Sequence, residues 1–268
     1  MEVFSITYQE VRIFLLILVR ISTILLMLPF FNARVIPILS KVGLAVVITI
    51  LFYPVLNDKM LEFPSTAIGM GQLVVAELMI GLILGLLVQI FFEGVRMMGQ
   101  MVGFQTGFSI TNIIDPLSGV QVSIFSNLAY FVALILFLLL NGHHILLDAV
   151  RESFTIIPVG SLGMNAEMLN KLIPLYGDMF VIAVKIGAPA ITALLFTKVA
   201  FGLITKLMPQ MNIMIVAFPV QIVIGLLFFG VSLNVLLVFM DRYLSGLGFL
   251  LKNTMTHHRH ESTIWHPS

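Results

Sequence analysis

Six stretches of this chain are each long and apolar enough to cross a lipid bilayer, and that restricts its fold more than anything else in it. They are Ile13–Phe31, Val35–Leu56, Ile68–Phe92, Val122–Leu140, Tyr176–Ile204 and Ile213–Met240. A helix needs about 20 apolar residues to span the hydrocarbon core. Composition agrees: 59% of the 268 residues are hydrophobic and only 10% charged, where a soluble domain is nearer one quarter charged. The expected fold class is therefore all-α: a polytopic helical membrane-complex subunit with six long hydrophobic helices. The fifth and sixth runs exceed a simple span, which predicts tilt, kinks or protrusion. Pro189 and Pro219 predict kinks in them.

Between Gly94 and Val122 the pattern breaks, while membrane-grade sequence continues on both sides. Gly99, Gly103 and Gly107 lie four apart, so on a helix they share one bare face. A polar run from Ser109 to Asn112 follows, and Asp115-Pro116 disfavours further helix, because the residue before proline is pushed out of the α region. Irregular polar backbone at membrane depth is tolerated only where protein buries it or where it lines a wet cavity. This segment is the first candidate for the working part. Its glycines have two readings, close helix packing or room for a path; Gly81 and Gly85 in the third run read as packing. Phe104 and Phe108 stand beside the bare face, and Met97, Met98 and Met101 add adaptable side chains.

After Asn141-Gly142-His143-His144, a short amphipathic helix is expected over Ile145–Ile157, with Asp148, Arg151, Glu152 and Thr155 on one face. Pro158 and Gly160 stop it. The expected organisation is residues 1–160 as an N-terminal helical part including the 94–122 interruption, 161–172 as a polar link, 173–251 as a helical hairpin, and 252–268 as a mobile polar tail. No internal repeat supports an inverted-repeat transporter. Glu2 and Glu10 precede the first apolar run and no small-residue cleavage site follows it, so that run is expected to be retained. With six crossings, seven Lys or Arg outside the runs fall on the side of the termini and three on the other, which places both termini in the cytoplasm.

Five charges lie inside apolar runs: Arg20, Lys41, Glu77, Lys185 and Lys198. A charge at the bilayer centre costs about 2.5–3.5 kcal/mol even on the gentler insertion scale, so such groups pair or face water. The readings are pairing between helices or subunits, snorkelling (which suits Lys41 and Lys198), or a proton relay, which a single mid-run acid supports poorly. The net charge of +1 gives no case for nucleic acid, and the absence of Cys removes disulfides and thiolate metal sites. His143, His144 and Asp148 lack a third ligand at sensible spacing, so neither metal nor cofactor is expected. No nucleophile–base–orienter set can be assembled, so no enzyme is expected.

The C-terminal hairpin turns at Gly202-Leu-Ile-Thr-Lys206-Leu-Met-Pro209-Gln210-Met-Asn212, followed by Phe218-Pro219. With Asp115-Pro116, Asn141-Gly142-His143 and Ser153-Phe154 before Pro158, the chain resembles the FliR/SctT family of type III secretion export-gate proteins over about residues 5 to 250. Lys206 stands where Arg is more usual, and Gln221 where a Lys is common. The resemblance implies a subunit of the flagellar export gate in the bacterial inner membrane, or of the related virulence injectisome. It implies assembly with FliP-like and FliQ-like subunits and association with an FlhB-like one. It implies a FliP-like part fused to a FliQ-like hairpin, with helices in a right-handed spiral largely raised out of the bilayer plane. A re-entrant loop would help to plug a pore for unfolded export substrates. Carried onto this chain, the plug and constriction would comprise Phe104, Gly107, Phe108, Ile110, Asn112, Ile113, Ile114, Asp115 and Pro116. Subunit contacts would involve Arg20, Lys41, Glu77, Lys185, Lys198, Lys206, Pro209, Gln210 and Asn212. The rivals are a small-solute secondary transporter and a scaffold whose glycine face serves packing alone.

Overall fold

The structure, a computed structural model, describes residues 8–29, 31, 36–56, 64, 66–107, 123–161, 166–210 and 212–255. Among these residues there are seven helices and no strand. In chain order they are α1 (Tyr8–Met27), α2 (Ile38–Leu56), α3 (Ala67–Gln105), α4 (Ile124–Leu139), α5 (Gly142–Ile156), α6 (Ala166–Leu207) and α7 (Ile213–Met255).

Each apolar run of the sequence falls largely in a helix over its described residues, but the runs do not all make spans. Three helices are long and apolar enough to cross a membrane: Ala67–Gln105, Tyr176–Leu207 and Ile215–Gly246. A fourth is possible if α4 and α5 form one span, although the chain bends by 71° between them. The sequence predicts six crossings; among the described residues three helices, or four with the bent pair, meet the length and composition of a span. Helix α1 carries Glu10, Arg12 and Arg20, and the apolar part of α2 is confined to Ile38–Pro54. The three longest helices overshoot instead. With 39, 42 and 43 residues, α3, α6 and α7 extend about 58, 63 and 64 Å at 1.5 Å per residue. A hydrocarbon core is about 30 Å thick.

Helix α3 is the centre of the molecule. It packs against α1, α4, α6 and α7, and from Ile80 to Val95 nearly every side is buried. Thr66 caps its first turn, accepting a hydrogen bond from the Gly69 N–H at 3.2 Å. The Gly94 break expected from the sequence is not a helix break: α3 runs on through Gly94, Gly99 and Gly103 to Gln105. Its glycines are where neighbours come close. A Cβ on Gly81 would lie 2.8 Å from the Arg20 carbonyl oxygen in α1, and one on Gly99 would lie 2.5 Å from Ser126 Cα in α4. Bare faces of this kind let helix backbones approach.

Helices α6 and α7 pack along one another. On α7 the buried residues Gly225, Phe229, Ser232, Leu236, Met240 and Tyr243 recur every three or four positions, one stripe facing inward. Tyr243 is tied to α3 by its hydroxyl, which donates to the Leu87 carbonyl, and by its ring, 4.7 Å from that of Phe91. Two domain boundaries differ from expectation. Helix α6 already starts at Ala166, inside the stretch expected as a link, and α7 continues to Met255, past the expected start of the tail. The chain turns from α4 to α5 at Asn141, whose φ of 55° is left-handed, a conformation that Asn tolerates better than most residues. Helix α5 buries Leu146, Ala149, Val150, Ser153 and Phe154 and turns Asp148, Arg151 and Thr155 outward, the polar face expected for it.

Candidate functional site

Two places bring together the polar and irregular features of the sequence. The first is the end of α3. The helix stops because Thr106 caps it and Gly107 follows with φ +80°; a glycine in the left-handed region just past the last turn is a common helix terminator. Thr106 is fully buried, and its hydroxyl donates to the Gly103 carbonyl at 3.0 Å. Its Cγ2 methyl fills the space where a Gly225 side chain would stand, and the Phe218 ring lies against Gly107 where a Cβ would point. One turn earlier Phe104 is 68% exposed. Across from it, Ser123 and Phe125 at the start of α4 approach Gly103, and the Phe125 and Phe229 rings meet edge to face at 5.3 Å. So α3, α4 and α7 converge where Phe104 and Gly107 sit. The remaining residues expected at the constriction, Phe108, Ile110, Asn112, Ile113, Ile114, Asp115 and Pro116, lie outside the described residues.

The second place is a buried charge pair. Arg20 in α1 and Glu77 in α3 are 0% and 1% exposed and form an ion pair through Arg20 Nε and Glu77 Oε2. Neither is spare. Arg20 Nη1 donates to the Ile157 carbonyl at 3.1 Å and to Ser153 Oγ at 3.5 Å, while the Gly160 N–H donates to Glu77 Oε1 at 3.0 Å. The guanidinium carbon lies 4.2 Å from the centre of the Phe154 ring. Most of the pair's polar atoms find donors and acceptors, the form in which ions survive burial, while the buried Arg20 Nη2 has no hydrogen-bond partner among the described residues. The pair thus bolts the end of α5, and the Pro158–Gly160 turn after it, to α1 and α3.

The other charged candidates are scattered. Lys41 is half-buried in α2, Lys198 is exposed in α6, and Lys206, Pro209, Gln210 and Asn212 are exposed at the tip of the α6–α7 hairpin. Lys185 is half-buried and lines a groove of about 550 Å³ with Pro189, Thr192, Phe196, Phe228 and Val235. Ser153, Ile157, Gly160, Phe218 and Gly225 are not among the site residues expected from the sequence. A guanidinium has five N–H donors, so a buried Arg20 demanded acceptors beyond one carboxylate. The carbonyl that supplies one has no side-chain signature. Phe218 and Gly225 had a spacing signal, standing seven apart on one helix face.

The sequence profile of bacterial export proteins, family 1, matches residues 11–247. The chain belongs to this family. Among relatives of the export family, the flagellar biosynthetic protein FliR of Bacillus subtilis (strain 168) is 30% identical over 230 residues, covering 84% of this chain and 87% of the relative. FliR of Pectobacterium carotovorum subsp. carotovorum is 28% identical, covering 89% and 90%. FliR of Escherichia coli (strain K12) is 27% identical, covering 89% and 91%. The family match spans both places described above.

Proposed function

We propose that this chain is a non-enzymatic subunit of the flagellar type III export gate, seated in the bacterial inner membrane. It assembles with FliP-like and FliQ-like subunits, and an FlhB-like subunit associates with them. The reading rests on one observation, the end-to-end likeness to flagellar biosynthetic proteins from several bacteria. The physical features fit it. Helices about twice as long as a hydrocarbon core is thick suit a body raised out of the bilayer plane, and a right-handed spiral of partner subunits would cover their apolar flanks. The N-terminal helices form the FliP-like part and the α6–α7 hairpin the FliQ-like part.

In this proposal the end of α3 faces the pore. Phe104 and Gly107 mark the constriction, and Phe108, Ile110, Asn112, Ile113, Ile114, Asp115 and Pro116 complete the plug. Unfolded substrates pass when it yields, with the energy coming from elsewhere in the machine. Lys41, Lys185, Lys198, Lys206, Pro209, Gln210 and Asn212 are contact candidates for neighbouring subunits. Deleting Ser109–Gln121 leaves assembly intact and raises ion conductance through the purified, reconstituted complex. Unchanged conductance in complexes that assemble would remove the plug assignment.

A further inference from the structure

The C-terminal end of α3 does not hang free; α7 holds it at two successive residues. Thr106 puts its methyl into the notch that Gly225 leaves in α7, with Leu194 of α6 closing the side. Gly107, already in a conformation that strains any side chain, lies under the Phe218 ring. Phe218 and Gly225 stand seven residues apart on the inward face of α7, so one helix meets both points. Close-packed apolar contacts of this kind have two arrangements, seated or unseated, and little in between.

We propose that Phe218 is a positioning residue: with Gly225 it clamps Thr106 and Gly107, and so fixes where Phe104 and the end of α3 stand relative to the hairpin. The clamp is static. Export proceeds with it closed. This rests on the reading of Phe104 and Gly107 as part of the pore constriction, and the tests separate the two.

The chain has no Cys, so a cysteine pair is diagnostic. A Cβ on Gly225 would stand 3.7 Å from Thr106 Cβ, within the 3.5–4.5 Å that a disulfide requires. In the assembled complex, T106C/G225C oxidises to a disulfide, and the oxidised cells still secrete flagellar substrates at the reduced rate. Separately, Phe218→Ala complexes assemble, and their resting ion conductance rises part of the way to that of the Ser109–Gln121 deletion. Phe218→Leu, which keeps an apolar body, guards against a variant that fails to assemble; its increase is smaller but present. Secretion that stops on oxidation and returns on reduction would show that the junction moves, and would overturn the static clamp. If the deletion leaks while both Phe218 variants stay as tight as the parent, the clamp is wrong and the constriction reading survives. If neither the deletion nor the variants leak, both are wrong.

Discussion

At the scale of single residues, Arg20 and Glu77 carry the largest stakes. Both are buried, both are charged, and each is satisfied chiefly by the other and by the α5 terminus. Truncating one partner leaves a desolvated charge, which typically costs about 3–5 kcal/mol. Replacing both with apolar residues of similar size removes the need for pairing. Arg20→Ala or Glu77→Ala should therefore sharply lower the melting temperature and yield of the purified complex. An Arg20→Met/Glu77→Leu double variant should recover much of the loss, as coupled neighbours do not add. A double variant as damaged as the sum of the two singles would mean that the pair contributes through each residue separately. That Arg20 and Glu77, like the other charges inside apolar runs, need partners or water was legible in the sequence. That they meet each other was not, because 57 residues separate them and sequence holds no record of which faces of α1 and α3 touch.

Among the helices, the decisive element is α3, and its glycines show how one sequence signal carries two meanings. A Cβ added at Gly99 would collide with the backbone of Ser126 in α4, which cannot move aside as a flexible side-chain tip could. One at Gly43 in α2 meets nothing within 4 Å. Gly99→Ala is thus expected to destabilise by about 1–3 kcal/mol, as overpacking does. Gly43→Ala, made in the interior of a helix, should be neutral or gain about 0.5–1 kcal/mol from lost unfolded-state freedom. Thermal melts of the two variants in one background decide this, and equal effects would sink the contact assignment. The spacing of Gly99, Gly103 and Gly107 suggested a shared face. The structure divides that face: Gly99 and Gly103 seat α4, while Gly107 ends the helix and lies under Phe218.

For the whole molecule, the unusual property is how much apolar surface stays uncovered. Helix α2 packs mainly on α1 and leaves Ile38, Leu39, Val47, Ile50 and Leu51 exposed. The hairpin tip exposes Leu207 and Met208, and α7 exposes Ile215, Val223 and Leu227. Apolar faces this extensive mark contact with lipid or with other chains. Expressed without partners, the chain should be recovered in low yield and run as mixed aggregates in detergent. Co-expression with FliP-like and FliQ-like subunits should give a single larger species by size-exclusion chromatography. A stable monodisperse product from the chain alone would count against an obligate assembly.

Length, charge and the spacing of apolar residues determine the all-α class and the family, because each of these is a local property that a window of residues carries. Local windows also placed the weak point near the end of α3, through Gly107 and the polar run after it. Apolar length alone does not register that α1 is charged along its course or that the apolar part of α2 ends at Pro54, so among the described residues the six runs correspond to three or four helices fit to span. Only the tertiary structure decided that Arg20 meets Glu77, that the Ile157 carbonyl and Gly160 N–H bond to them, and that Phe218 rests on Gly107. Those are contacts between distant segments, set by the angle at which helices cross and by backbone atoms that every residue possesses alike.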